Sequence, residues 1–484
     1  MPVSDKESLA FTITSLKSSG VIEKIIVITG DERYQDLTDQ DLLFIKSGGF
    51  TSSIALREMG KMLKTPFALL YSKSFPIDIG KFALQRMKQV AEFTGAGMVY
   101  SDYYENKNRI ISQHPVIGYQ EGSLRDDFNF GSLLLYDGNA LRDACSSMTR
   151  DFKFAGLYDL RLKVSQKNSL IHLPEFLYTE VETDIRESGE KQHDYVDPRN
   201  RAVQIEMEIA CTDHLQKINA WLKPEFRTIS FGEEKFDCEA SVIIPVKNRV
   251  KTIGDAIRSV LSQQTKFIFN LIVIDNYSTD GTTDVIRSFA ERDSRIIHVI
   301  PERKDLGIGG CWNEGIFHPS CGKFSIQLDS DDLYIDNNVI TSIVEAFYNQ
   351  QCAMVVGSYK MVNFNLEDIP PGLIDHREWT PDNGRNNALR INGLGAPRAF
   401  YTPVIRNIRV PNVSYGEDYA LGLAISRHYQ IGRIYEPLYL CRRWEENSDA
   451  ALDINKTNIH NLYKDRIRTI ELLARKRMNN ESQD

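Results

Sequence analysis

From Ser241 onward the chain alternates short β-branched runs with amphipathic helical stretches, a rhythm that few folds can satisfy. SVIIPV is stopped by Pro245 and by the polar KNR that follows it. TIGDAIRSVLSQQ comes next, with Ile253, Ala256, Ile257, Val260 and Leu261 on one helical face. LIVID reads as a second buried strand, ended by the turn-rich NYSTDGTTD. VIRSFAERD then reads as a helix, RIIHVI as a strand, GIGGCWNEGIF as a helix and KFSIQL as a strand. Strands alternating with helices predict a parallel sheet covered on both faces. Such sheets bind ligands beyond the carboxyl ends of their strands. Asn248, Asp275 and Asp329 each sit just past such an end, so the pattern gathers them on one edge.

The N-terminal half carries the same pattern as an internal repeat. PFALLYSKSFPID, from Pro66, lines up with KFSIQLDSDDLYI, and AGMVYSDYYEN, from Ala96, with AMVVGSYKMVN, from Ala353. The stretch from Tyr158 to Tyr178 matches that from Tyr419 to Tyr439 without a gap, and EKIIVITGD parallels FNLIVIDNY. The fold class expected is therefore α/β, with two tandem Rossmann-like units. The boundary falls near Phe231 to Cys238, giving domains 1–235 and 236–484, the second with a C-terminal helical extension. ETDIRESGEKQHDYVDPRNR reads as an exposed excursion between them, and AVQIEMEIACTDHLQKINAWL as a helix leading into the second copy. The copies differ where chemistry would lie. Ser72 stands opposite Asp329, Ser74 opposite Asp331, and Gly156 and Leu157 opposite Glu417 and Asp418. The first copy also begins at its first helix, with no counterpart of SVIIPVKN, and is expected to be a non-catalytic scaffold.

Bulk properties exclude several functions. A net charge of -8 offers no general attraction for nucleic-acid phosphates. No run of 18 apolar residues is present, and the N-terminus has no basic start or apolar core, so neither a transmembrane helix nor a secretory signal is expected. Seven scattered cysteines without a CxxC pair read as free thiols of a reducing cytoplasm rather than a zinc site.

Two constellations carry chemistry. In FSIQLDSDDLYID a buried strand runs into Asp329, Ser330, Asp331 and Asp332, where like charges repel unless something positive is held. Hard cations such as Mg²⁺ or Mn²⁺ take oxygen ligands, often one or two carboxylates completed by substrate phosphates. Asp329 and Asp331 are the expected ligands, with Asp332 orienting the turn; the plain alternative is a solvated acidic turn. In VSYGEDYALGLAI, Glu417 and Asp418 open a partly buried helix. They either cap its dipole or supply a general base for a hydroxyl that is barely acidic at neutral pH.

With these motifs in view, residues 239–444 resemble glycosyltransferase family 2, inverting enzymes of the GT-A fold that use nucleotide sugars. The matching stretches are SVIIPVKN, LIVIDNYSTDGT, DLGIGGCWNEGI, LDSDD and GEDY, in the family's order. The resemblance implies that Pro245, Val246, Asn248 and Asp275 line a base and ribose pocket, with Asn276 in place of the usual second Asp. It assigns Asp329 and Asp331 to the metal and diphosphate, Asp418 to the base with Glu417 beside it, and Lys304 or Arg303 to the diphosphate. It implies a divalent cofactor, a nucleotide-sugar donor and a glycan or glycolipid acceptor.

Some positions depart from that pattern. Trp312 replaces a common Arg, and Trp444 stands where some members supply a metal-binding His, leaving water or Asn447 as a third ligand. Trp312, Trp379 and Trp444 are candidates for stacking on a ring, or for packing. In NIHNLYKDRIRTIELLARKR, Ile459, Leu462, Tyr463, Ile467, Ile470 and Leu473 form an apolar face opposite a basic one. Docking onto the catalytic domain or a second subunit is expected of it ahead of peripheral contact with an anionic membrane at its inner face. Rival functions are a nucleotidyltransferase, which would not need Glu417 and Asp418, and a non-catalytic sugar- or nucleotide-binding protein.

Overall fold

The computed structural model describes residues 1–2, 5–30, 42–47, 49–107, 109–181, 200–232, 234–444 and 452–481. Most of the charged excursion and Asn447 lie outside the described residues. The chain divides into two compact units, one from described residues of Met1–Gly189, Asn200–Trp221 and Leu452–Asp484, the other from those of Leu222–Ala451.

The strands of the first unit are β1 (Ile25–Thr29), β2 (Leu42–Lys46), β3 (Phe67–Tyr71), β4 (Ile77–Ile79), β5 (Met98–Lys107), β6 (Ile110–His114), β7 (Leu133–Asp137) and β8 (Leu170–Val181). Those of the second are β9 (Ala240–Val246), β10 (Phe269–Asp275), β11 (Ile296–Val299), β12 (Phe324–Gln327), β13 (Leu333–Tyr334), β14 (Met354–Asn363), β15 (Asp368–Ile374), β16 (Arg398–Tyr401) and β17 (Ile431–Arg443). The second sheet runs β11-β10-β9-β12-β16-β14-β17-β13, with β15 on β14. β11, β10, β9 and β12 are mutually parallel. Val242, Ile243 and Ile244 of β9 have no exposed surface, as a strand covered on both faces requires. Asp275 pairs with Val246, and Gln327 with Ile243, so β9, β10 and β12 finish along one edge.

The repeat is visible strand by strand. The order β3-β7-β5-β8-β4, with β6 on β5, matches β12-β16-β14-β17-β13, with β15 on β14. Every pair also keeps its direction: β5 is parallel to β8 as β14 is to β17, and the other pairs are antiparallel. One alignment needs correcting. Met98 pairs with Leu170 and Met354 with Ile431, which are equivalent in the ungapped match, so Met98 corresponds to Met354. The match from Ala96 to Ala353 is thus one residue out of register, a slip that would invert the faces of the strand.

The missing first strand has a structural trace. β1 and β2 form a separate parallel pair, as β10 and β11 do within the larger sheet, and among the described residues no strand joins β1 to β3. Met1 makes one step of that ladder: its amino group donates to the Ile26 carbonyl at 2.9 Å, and its carbonyl accepts from the Ile28 N–H at 2.9 Å. An apolar cavity of about 350 Å³ remains there, lined by Ile25, Ile26, Phe67, Leu69 and Leu135 among others.

The C-terminal helix Ile454–Glu481 departs from expectation twice. It belongs to the first unit, not to the second. Its orientation is also inverted: Ile459, Ile470 and Leu473 are exposed, whereas Asp465, Arg468, Glu471 and Arg475 are buried. Pairing explains why charge faces inward. Asp465 accepts from Ser123 at 2.9 Å, Arg125 at 3.3 Å and Arg468 at 2.8 Å, and Glu471 accepts from Arg475 at 2.8 Å. Periodicity shows that two faces differ in polarity, but not which one finds complementary charges. Among the described residues no helix is long and apolar enough to cross a membrane. Replacing Asp465 with Ala takes a shared carboxylate from two buried guanidinium groups and is expected to cost about 3–5 kcal/mol. Ile470→Ser, on the exposed face, should stay within about 0.5 kcal/mol of the parent. Urea unfolding of both variants tests this orientation of the helix.

Candidate active site

The edge where β9, β10 and β12 end carries two sets of polar residues with different tasks. Beyond β9, Asn248 takes a left-handed backbone (φ +55°) and accepts the Thr279 N–H at 2.8 Å, while its own N–H donates to Ser278 Oγ at 3.0 Å. Asp275 has no exposed surface. It accepts from Ser278 N–H at 3.1 Å and Thr283 Oγ1 at 2.6 Å, and meets His298 Nε2 at 3.4 Å. Burial alone would raise its pKa, but these donors hold it well below the usual carboxylate range. Asn276 donates to the Leu306 carbonyl at 2.9 Å. Lys304 lies over the Tyr277 ring at 5.3 Å, and Arg303 pairs with Asp305 at 2.9 Å. Val246 is buried. Among the residues expected at a base and ribose pocket, Pro245 lines the adjoining cleft, and Asn248, Asp275 and Asn276 build the loop beside it.

That cleft, of about 290 Å³, is lined by Pro245, Trp312, Asp329, Asp331, Arg398, Glu417 and Asp418 among others. The structure thus brings both acidic motifs to one cavity. Asp329 leaves β12 with its N–H donating to Tyr439 Oη at 3.0 Å, and its carboxylate accepts from Gln327 Nε2 at 2.9 Å. Burial raises its pKa and Asp331 adds to this, opposed by Arg398 and Gln327. Asp332 N–H closes the turn on the Asp329 carbonyl at 3.2 Å, and its buried carboxyl accepts the Arg442 N–H at 2.8 Å. Burial and the neighbouring Asp331 and Asp329 push Asp332 well above its ordinary pKa. It orients the turn. Asp331 Oδ2 accepts from Trp444 Nε1 at 3.3 Å and lies 3.7 Å from Arg249 Nε.

Across the cleft, Gly416 at φ +78° leads into the helix Glu417–Ser426. Burial first, and the Asp418 charge second, raise Glu417 from 4.5 to about 8. Its Oε2 is buried and has no hydrogen-bond partner. Asp418 Oδ2 accepts from Arg398 Nη1, and Arg398 Nε is anchored on the Gly395 carbonyl at 2.9 Å. Arg398 was not among the residues singled out from sequence. The available signal was a cation opening the strand RAFY, whose remaining three residues are buried. Trp312 packs edge-on to Phe400, with ring centroids 6.0 Å apart, and lines the cleft. Trp379 packs away from it, beneath Arg433.

The donor set suits a hard divalent cation: Asp329 and Asp331 offer carboxylate oxygens at a strand tip. Among the described residues no group of three or more His, Cys, Asp or Glu side chains is arranged to hold a metal ion.

The model of the family described as "Glycosyl transferase family 2" matches residues 241–403. An uncharacterized glycosyltransferase of Rickettsia bellii is 40% identical over 217 residues, 44% of this chain and 30% of that protein. The "Putative teichuronic acid biosynthesis glycosyltransferase TuaG" of Bacillus subtilis is 30% identical over 186 residues, 38% of this chain and 71% of that one. The S. aureus TarS 1-349 structure with UDP-GlcNAc aligns at 20% identity and a TM-score of 0.38, over 49% of this chain and 72% of that one. The chain spans between 30% and 36% of the length of the Rickettsia relatives it matches.

The raised Glu417 pKa has a direct consequence for metal-free protein. The folded state holds a proton that the unfolded chain releases near 4.5, so stability falls as pH rises from there to about 8. Glu417→Gln should remove this slope. Variant and parent should agree near about pH 4, with the variant more stable by on the order of a few kcal/mol near about pH 9. Denaturant midpoints across that range measure it.

Proposed function

The chain belongs to glycosyl transferase family 2, and from that premise we propose that its second unit is an inverting, divalent-metal-dependent glycosyltransferase. It moves a sugar from a nucleoside diphosphate sugar to an acceptor hydroxyl in the synthesis of a cell-surface polysaccharide. The supporting observation is that Asp329 and Asp331 share a single cleft with Glu417 and Asp418. A nucleotidyltransferase needs only the first pair. A glycosyl transfer needs both, because charge accumulates on a departing diphosphate while a proton leaves the attacking hydroxyl. Teichuronic acid biosynthesis in the name of one relative, and a poly(ribitol-phosphate) beta-glucosyltransferase from Bacillus spizizenii at 21% identity, support the polymer context.

In this mechanism Asp418 accepts the proton of the acceptor hydroxyl. The oxygen attacks the anomeric carbon from the face opposite the diphosphate, the bond from that carbon to the diphosphate oxygen breaks, and its electron pair leaves with the diphosphate. The configuration inverts. A Mg²⁺ or Mn²⁺ ion held by Asp329 and Asp331 would supply positive charge to the leaving group. Trp312 and Pro245 line the same cleft and give it an apolar wall beside these acids. None of the seven cysteines forms a disulfide, which fits a cytoplasmic site of action.

The first unit we take to be a non-catalytic scaffold. Tyr136 and Phe400 pair with the equivalent Met98 and Met354, which puts Leu134 opposite Arg398. Asp329, Asp331, Arg398, Glu417 and Asp418 thus correspond to Ser72, Ser74, Leu134, Gly156 and Leu157, so all five charges are absent together. A side chain at Gly156 would also collide with the Thr51 carbonyl.

Incubation with nucleotide sugars and Mn²⁺ in the absence of acceptor should release nucleoside diphosphate slowly; release of pyrophosphate would instead indicate a nucleotidyltransferase. Asp331→Ala should abolish metal-dependent nucleotide binding in calorimetry. Asp418→Asn should retain that binding and lose about 10²- to 10⁴-fold in turnover. Ser72→Ala with Ser74→Ala should leave turnover unchanged; its collapse in a folded protein would give the first unit a chemistry of its own.

A further inference from the structure

We infer that Arg398 is a positioning residue for Asp418, and that through Gln327 it couples the acceptor end of the cleft to the diphosphate end. The inference rests on the glycosyltransferase reading above and deepens it.

The geometry forms a continuous chain. Arg398 Nη1 donates to Asp418 Oδ2. The guanidinium is itself held by its Nε donating to the Gly395 carbonyl at 2.9 Å. Gly395 adopts φ +101°, and a Cβ there would lie 2.7 Å from the His376 ring, so this acceptor sits at a backbone position that favours glycine. The Arg398 backbone N–H donates to Gln327 Oε1 at 3.3 Å, and Gln327 Nε2 donates to Asp329 Oδ1 at 2.9 Å. One residue therefore holds the carboxylate assigned to the hydroxyl proton with its side chain. With its backbone it orients the amide that holds the carboxylate at the strand tip.

Neither partner is floppy. Gln327 is buried, and the Arg398 and Asp418 side chains keep 15% and 30% of their surface exposed. A guanidinium suits the task because its planar fork can bond a carbonyl and a carboxylate at once. A lysine would keep the charge and lose one of those bonds. The first unit supports the pairing: where Arg398 becomes Leu134, Asp418 becomes Leu157 and Asp329 becomes Ser72.

A mere counter-ion would serve stability alone; a positioning residue acts on turnover through Asp418. The test is a double-mutant cycle on the full chain, with Arg398→Leu, Asp418→Asn and the double variant. Its readouts are kcat for donor hydrolysis and the Kd of a nucleoside diphosphate with Mn²⁺. Arg398→Leu should lower kcat about 10²-fold while Kd changes less than about tenfold. In the Asp418→Asn background the same change should cost no further turnover. Arg398→Lys should recover part of the loss. Gln327→Leu, which keeps the ion pair, should lower kcat by a smaller factor and provides the test if Arg398→Leu does not fold. Equal losses in both backgrounds, or unchanged kcat in Arg398→Leu or, should that variant not fold, in Gln327→Leu, would overturn the inference while leaving the base assignment standing. Full turnover in Asp418→Asn would remove the base assignment and this inference with it.

Discussion

Like-charge repulsion is the constraint around which the second unit is built. Asp329, Asp331, Asp332, Glu417 and Asp418 crowd into and around one cleft, and two bare carboxylates about 4 Å apart repel by roughly 4 kcal/mol at an effective dielectric of 20. The fold answers each carboxylate differently. Asp332 is buried against the Arg442 N–H, and burial with the neighbouring acids pushes its pKa up. Glu417 is driven toward its neutral form, while Asp418 is held by Arg398. Asp331 keeps company with Trp444 and Arg249. Asp329 is held by Gln327 at the strand tip and lines the same cleft as Asp331, Glu417 and Asp418.

The topology explains why these groups meet. β12 delivers Asp329 at its carboxyl end, β16 runs antiparallel beside it and opens with Arg398, and the helix Glu417–Ser426 brings its first turn to the same edge. The distance along the sequence from Asp329 to Asp418 is closed by a mixed sheet whose order the first unit repeats. That unit shows the architecture does not require the charges: the same strands pair in the same directions around Ser72, Leu134 and Gly156.

Much of this was legible in the sequence because it depends on local pattern. The β-branched runs became β9 and β10, and the run KFSIQL became β12. What escaped was decided by partners distant in sequence. Arg398 is an ordinary strand residue until Asp418 is set across from it. Asp275 also anchors its own loop, since Thr283 and His298 reach it from the following helix and from β11. The C-terminal helix displays two faces of opposite polarity. Only the presence of Arg125 and Ser123 against it makes the charged one the inner one.

The placement of that helix bears on the order in which the polypeptide acquires its structure. The first unit is built from residues on both sides of the second, which is inserted within it along the sequence. During synthesis from the N-terminus, the second unit has all of its residues available before the first does. The unit begun first is therefore the second to close, and until the helix Ile454–Glu481 is made, Arg125 waits without the carboxylate of Asp465.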